Sequence, residues 1–244
     1  MTLSRDLTDY YNDDYLLIAD DMTPEALTDN EVGYLIRALD IVPGQRVLDF
    51  GCGFGRIAHG LARSGAQVTG VDLVPQMLDF ARRRAAVDGL DIAYIEGDMA
   101  AVKGLSGFDT VIMWFFSFGY GADSRHPKIL RAAYHALRKG GTMLFDQYNT
   151  HLLAREEHPS LVDRGDTLFI HRPRPDLEHG RWGAERIVVT EGAIRRSHFS
   201  CRSYSPPELR SMMEAVGFRE IRFLGDGSAP YTPSSRKLVV AAMK

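Results

Sequence analysis

Two cysteines in 244 residues, Cys52 and Cys201, give neither a C-x-x-C pair nor a cluster with metal-ligand spacing, so free thiols and no metal are expected. No apolar run approaches the roughly 20 residues that cross a bilayer, which removes a membrane partner from the expectation. The opening segment MTLSRDLTDYYNDDY is too polar to read as a secretory signal, so the expected compartment is the cytoplasm. Charge of one sign is lacking too. Twenty-nine Lys and Arg against 32 Asp and Glu leave a net charge of -3, with no overall attraction to polyphosphate, and no nucleic-acid partner is expected. Internal repeats and low-complexity tracts are absent. What is present is ordinary for a soluble protein: 45% hydrophobic and 25% charged residues, enough to bury one sizeable core. A single domain over 1–244 is therefore expected, as a monomer or homodimer.

The patterning alternates helical and strand periods from residue 28 onward: an amphipathic stretch at 28–40, a strand at 46–50, a helix at 56–64, a strand at 67–72 and a helix at 75–88. Strands at about 91–95 and 108–113 follow, then a helix over 126–138 that Gly140 and Gly141 would close, and the strand TMLFDQY. The apolar runs VTGVD and TVIMW are continuous, as in parallel strands covered on both faces. This rhythm breaks over 151–204, where ERIVVTEG and IRRSHFSCRSY read as an inserted antiparallel hairpin. Ser205, Pro206, Pro207 and Glu208 then carry a capping-box signature for a helix whose apolar face holds Leu209, Met212, Met213 and Val216. Two last strands, REIRFLG and KLVVAAM, end the pattern.

In RVLDFGCGFGRIAHGLA a buried strand ends in Asp49, passes Gly51, Gly53 and Gly55, and enters a helix, which lets backbone approach a ligand closely. Alone, such a loop is shared by dinucleotide binders and by loops that bind nothing. Two details discriminate. Arg56 stands where the dinucleotide pattern needs its third close-packing glycine, and the Asp49 carboxylate would repel a pyrophosphate. A phosphate-free, cationic nucleoside such as S-adenosylmethionine suits an acid there. Asp72, ending the second strand, can accept from both ribose hydroxyls, a role common to NAD and S-adenosylmethionine sites. Asp98, after the third strand, can accept from an adenine amino group, with Met99 as an apolar ring contact.

The segments LDFGCGFGRIAHGLA, VTGVDLVPQMLDFAR, EGDM and LRKGGTMLFD, in that order, resemble the motifs of class I, Rossmann-like S-adenosylmethionine-dependent methyltransferases of the small-molecule type, well over residues 44–147. The resemblance implies an α/β fold with a seven-stranded, mostly parallel sheet in the order 3-2-1-4-5-7-6, its last strand antiparallel, with the hairpin inserted after the fifth strand. It implies S-adenosyl-L-methionine as methyl donor and S-adenosyl-L-homocysteine as product. Asp49, Gly51, Cys52 and Gly53 would hold the methionine moiety, Asp72 the ribose, and Asp98 and Met99 the adenine. Tyr15, Leu73, Met77 and Trp114 complete the expected donor wall. The Asn/Asp-Pro-Pro-aromatic tetrad of nucleic-acid adenine methyltransferases is missing from MWFFSFGYGAD, which points away from that substrate class.

The acceptor is expected to be a small-molecule metabolite methylated on N or O. Phe115, Phe118 and Tyr120, beyond the fourth strand, are candidates for its pocket. The segment 1–27, with Tyr10, Tyr11 and Tyr15, resembles a lid over the donor. The insertion 151–204 is expected to act as a cap on the acceptor side, so Tyr148, Asn149, His171, Arg172 and Tyr204 join the acceptor candidates. Methyl transfer needs placement more than elaborate chemistry, but one base helps an amine or hydroxyl acceptor, and His126, His151 and His198 are the candidates. Two other readings stay open: an NAD(P)-dependent oxidoreductase, and a non-catalytic donor-binding protein of the same fold.

Overall fold

The computed structural model describes residues 3–152 and 158–244. Its N-terminal part is helical: α1 (Leu3–Tyr10), α2 (Asp13–Met22) and α3 (Glu25–Leu39). The alternating region follows as β1 (Arg46–Phe50), α4 (Arg56–Arg63), β2 (Gln67–Asp72), α5 (Pro75–Val87), β3 (Ala93–Glu96), β4 (Phe108–Met113), α6 (His126–Ala136) and β5 (Leu137–Tyr148). After β6 (Ser160–Asp163), β7 (Thr167–Pro173), β8 (Arg181–Thr190) and β9 (Ala193–Arg202), the chain closes with α7 (Pro206–Val216), β10 (Arg219–Leu224) and β11 (Lys237–Met243).

Seven strands form one sheet in the spatial order β3-β2-β1-β4-β5-β11-β10. Counted along the chain within that sheet, this is the expected 3-2-1-4-5-7-6. Strand β11 runs antiparallel to both β5 and β10, whereas β1 pairs parallel with β2 and β4. The continuous apolar runs follow from burial on both faces. Val47 packs with Leu35 of α3 and Leu61 of α4, while its neighbour Leu48 packs on the other face with Leu130 of α6 and Met213 of α7. Strand order reverses between β1 and β4, and a parallel sheet opens a crevice beyond the carboxyl ends of its strands at that point.

Two local expectations change. Helix α6 stops at Ala136, and Leu137 is already extended (φ -67, ψ 141). Gly140 and Gly141 lie inside β5, where Gly140 (φ 74) sits in an irregularity of the β4–β5 register and Gly141 accepts from the Lys244 N–H. The hairpin of β8 and β9 forms as read, with Trp182 opposite Cys201, but β6 and β7 add to it and make a four-stranded antiparallel sheet, β6-β7-β8-β9.

Candidate functional site

The carboxyl ends of β1, β2 and β4 open into a cavity of about 1000 Å³, including its mouth, roofed by α1 and α2. The loop after β1 shapes the floor. Gly51 has φ 75, and a Cβ there would fall 2.7 Å from the Ser117 Cβ, so no other residue fits without moving that side chain. Gly53 (φ 53) differs: a Cβ there would meet nothing within 4 Å, so this backbone is open toward a ligand.

Three acids line the cavity in different states. Asp49 is 2% exposed, and its Oδ2 has no hydrogen-bond partner. Burial, with the Asp72 charge adding and Arg56 opposing, pushes its carboxyl up to about 7. Asp72 accepts the N–H groups of Gly53 (2.8 Å) and Val74 (2.9 Å), which ties the glycine loop to the end of β2. Burial still raises it against those hydrogen bonds. Asp98 is partly exposed; burial would raise it, but Arg125 at 2.6 Å and the Ala100 N–H at 2.8 Å hold it below the usual carboxylate range. Arg56 pairs with Glu31 at 2.7 Å. Asp49 and Asp72 therefore lack an ion-pair partner among the described residues. A ligand with an ammonium and a sulfonium fits that deficit, and the unpartnered Asp49 oxygen is where a donor group is missing. The Trp114 Nε1 is also buried without a partner.

The turn after β4 is twisted. Phe115 and Phe116 both have φ 62, a left-handed conformation that bulky residues adopt only when the surroundings enforce it. The enforcement is visible: Asp146 accepts the Phe116 N–H at 2.9 Å, the Phe116 ring stacks on Tyr148 at 3.9 Å, and the Ser117 hydroxyl reaches the carbonyls of Trp114 (2.8 Å) and Gly51 (3.1 Å). Lys237 pairs with Asp146 at 3.0 Å and lies 3.8 Å over the Trp114 ring.

All the residues expected on the donor side meet at this cavity: Tyr15 from α2, Asp49, Gly51, Cys52 and Gly53 from the first loop, Asp72, Leu73 and Met77 after β2, Asp98 and Met99 after β3, and Trp114 after β4. Of the acceptor candidates, Phe115 and Tyr120 line it. The others do not. Phe118 is core, packed on His126, Phe145 and Tyr204. Tyr148 is spent on stacking with Phe116, and the Asn149 amide clamps the 232–235 turn through carbonyls that include Ser235 at 2.7 Å. His171 and Arg172 lie outside the cavity, Arg172 in contact with Glu185 of β8 at 3.3 Å. Tyr204 is bonded to His126.

The histidine expectations also need correcting. His126 is buried, with Nδ1 2.5 Å from the Tyr204 hydroxyl and Nε2 3.2 Å from the Tyr120 carbonyl, so both nitrogens are engaged and burial lowers its pKa. His151 and His198 are exposed outside the cavity. No described residue of 151–204 lines the cavity. The sequence reading missed Arg125, Ser117 and Phe54. Arg125 lies 27 residues from Asp98, a pairing no local pattern signals. Arg56, at the position where a dinucleotide-binding loop needs glycine, stands 5.1 Å over the Phe115 ring.

Comparison with known proteins agrees with this geometry. A family profile described as a methyltransferase domain matches residues 47–141. A demethylmenaquinone methyltransferase of Thermus thermophilus is 36% identical over 188 residues, 74% of this chain and 77% of that protein. A Geobacillus relative is 35% identical over 108 residues, 44% of each protein, so that match spans less than half of the relative. In fold, the crystal structure of an S-adenosylmethionine-dependent methyltransferase from Clostridium acetobutylicum superposes with a TM-score of 0.82 over 96% of this chain and 98% of that one, at 14% identity. The chain belongs to the Rossmann-like class I methyltransferases, the family that takes its methyl group from S-adenosylmethionine.

Proposed function

We propose that this protein transfers a methyl group from S-adenosylmethionine to nitrogen or oxygen of a small-molecule metabolite. The observation that carries the reading is the unpartnered Asp49 carboxylate facing a cavity where every expected donor residue converges. The bound donor supplies a methyl group on a sulfonium, and loss of that charge in the reaction makes placement of the acceptor the main demand on the protein. Asp49, with the backbone of Gly51, Cys52 and Gly53, takes the donor's amino-acid end. Asp72 uses its remaining lone pairs for the ribose. Asp98 and Met99 receive the adenine, and Leu73 and Met77 pack beside them. Tyr15 and Trp114 exclude water from the sulfonium. Phe115 and Tyr120 place the acceptor. No histidine is assigned a base role. Residues 1–244 act as one unit, with the N-terminal helices as a lid.

The deciding experiment is calorimetric titration with S-adenosylmethionine, S-adenosylhomocysteine and NAD(H) side by side. Binding of the first two alone supports the reading; binding of NAD(H) alone overturns it. Asp72→Ala should weaken S-adenosylmethionine by more than tenfold, about 1.4 kcal/mol, and an unchanged affinity would remove Asp72 from the donor site.

A further inference from the structure

We infer that the inserted sheet controls donor exchange through the lid, and that Arg186 of β8 is the positioning residue that holds Tyr15 over the donor cavity. This rests on the donor site proposed above. The sheet does not touch the cavity, yet it carries a guanidinium that is 2% exposed and has no carboxylate partner among the described residues. Its Nη1 donates to the Tyr10 carbonyl at 2.7 Å, at the C-terminal end of α1, where the helix dipole favours a cation. The same guanidinium lies 3.9 Å from the Tyr10 ring centroid and 5.1 Å from that of Tyr15, and Tyr15 lines the cavity.

Helix α2 transmits the hold. On one side Ile18 packs against Phe169 and Val188 of the inserted sheet; on the other, Tyr15 and Ala19 pack against Phe54, Val74 and Met77 at the donor floor. At the rim, Arg195 grips both carboxylate oxygens of Asp14 (2.9 and 2.6 Å), and Arg164 reaches Asp21 at 2.7 Å. The Tyr11 and Tyr120 hydroxyls, 2.5 Å apart, fasten the lid to the loop after β4. The arrangement closes without locking. The buried Nη2 of Arg186 has no partner, so the closed state carries an uncompensated desolvation cost that opening to water relieves.

The test uses the full chain with Arg186→Met, Arg186→Lys and, away from the buried guanidinium, Asp14→Asn. Amide exchange is followed without donor over peptides spanning residues 7–19, and S-adenosylhomocysteine dissociation is followed by stopped-flow tryptophan fluorescence. In Arg186→Met, lid exchange and dissociation should each accelerate about tenfold, while β1, β2 and β8 keep wild-type protection. Lysine, which retains the charge and one donor, should restore part of both. Asp14→Asn should move both readouts the same way, by about two- to threefold, in line with an exposed pair. Wild-type lid exchange and dissociation in a folded Arg186→Met protein overturn the inference. So does global loss of protection in Arg186→Met combined with an unaffected lid in Asp14→Asn. Failure of the wild-type protein to bind S-adenosylhomocysteine sinks the donor assignment instead, and lid exchange then decides the latch by itself.

Discussion

Asp49 combines two properties that pull against each other, burial and a charge that a cationic ligand would need. Its folded pKa of about 7 lies above the ordinary unfolded value of roughly 3.9. The protonated carboxyl therefore favours the folded state below that unfolded value, and this contribution is lost as pH rises through 7. Donor binding has the opposite preference, because an ammonium favours the carboxylate. Affinity for S-adenosylmethionine should thus rise from pH 5.5 to 7 by up to about tenfold per unit and then level off; Asp49→Asn should bind more weakly and flatten the profile, and a wild-type profile without this slope would detach Asp49 from the donor. His126 makes a contrasting case. With both ring nitrogens occupied, His126→Phe should cost roughly 1–3 kcal/mol in denaturant unfolding by stranding the Tyr204 hydroxyl, and should leave the shape of the kcat pH profile intact. Loss of an acid limb in that profile would restore His126 as a base.

Among the elements, α7 and the glycine loop were legible because their signals are local. Ser205 and Glu208 announce the helix start, and the Glu208 carboxylate does accept the Ser205 N–H at 2.7 Å while pairing with Arg202 at 2.9 Å. Burial works to raise Glu208, but these contacts win and hold it below the ordinary glutamate range. Its stabilisation is therefore present at neutral pH and is lost as pH falls through the lowered value. Glu208→Ala should cost about 1 kcal/mol at pH 7, shrinking in acid, as chemical denaturation at two pH values will show. The end of α6 was not legible. Glycine is a common helix terminator, but here hydrogen bonding of Gly140 and Gly141 to Lys244 recruits those residues into β5. The two extra strands of the inserted sheet were missed because β6 is short and its neighbour carries His, Arg and Pro, with little of the alternation that marks a strand.

For the molecule as a whole, donor binding and folding are linked: a cationic donor held beside Asp49 and Asp72, as proposed, would stabilise the folded state. Saturation with S-adenosylhomocysteine at 100 times Kd should add about 2.7 kcal/mol of stability, a Tm increase of roughly 5–10 °C for a chain of this size; a flat thermal-shift curve would contradict the donor reading. The sequence by itself determined the α/β class, the strand order implied by its motif resemblance, and which acids and glycines gather at the cavity, because each of them follows a strand within a few positions and the sheet delivers all strand ends to one edge. Only the tertiary structure decided what lies beyond that edge. It kept the three histidines out of the cavity, gave Arg125 to Asp98 and Lys237 to Asp146, and set Arg186 of the inserted sheet against the Tyr10 carbonyl of α1. Those outcomes depend on contacts between segments up to 181 residues apart, as in Asp14 with Arg195, and no local periodicity carries such information.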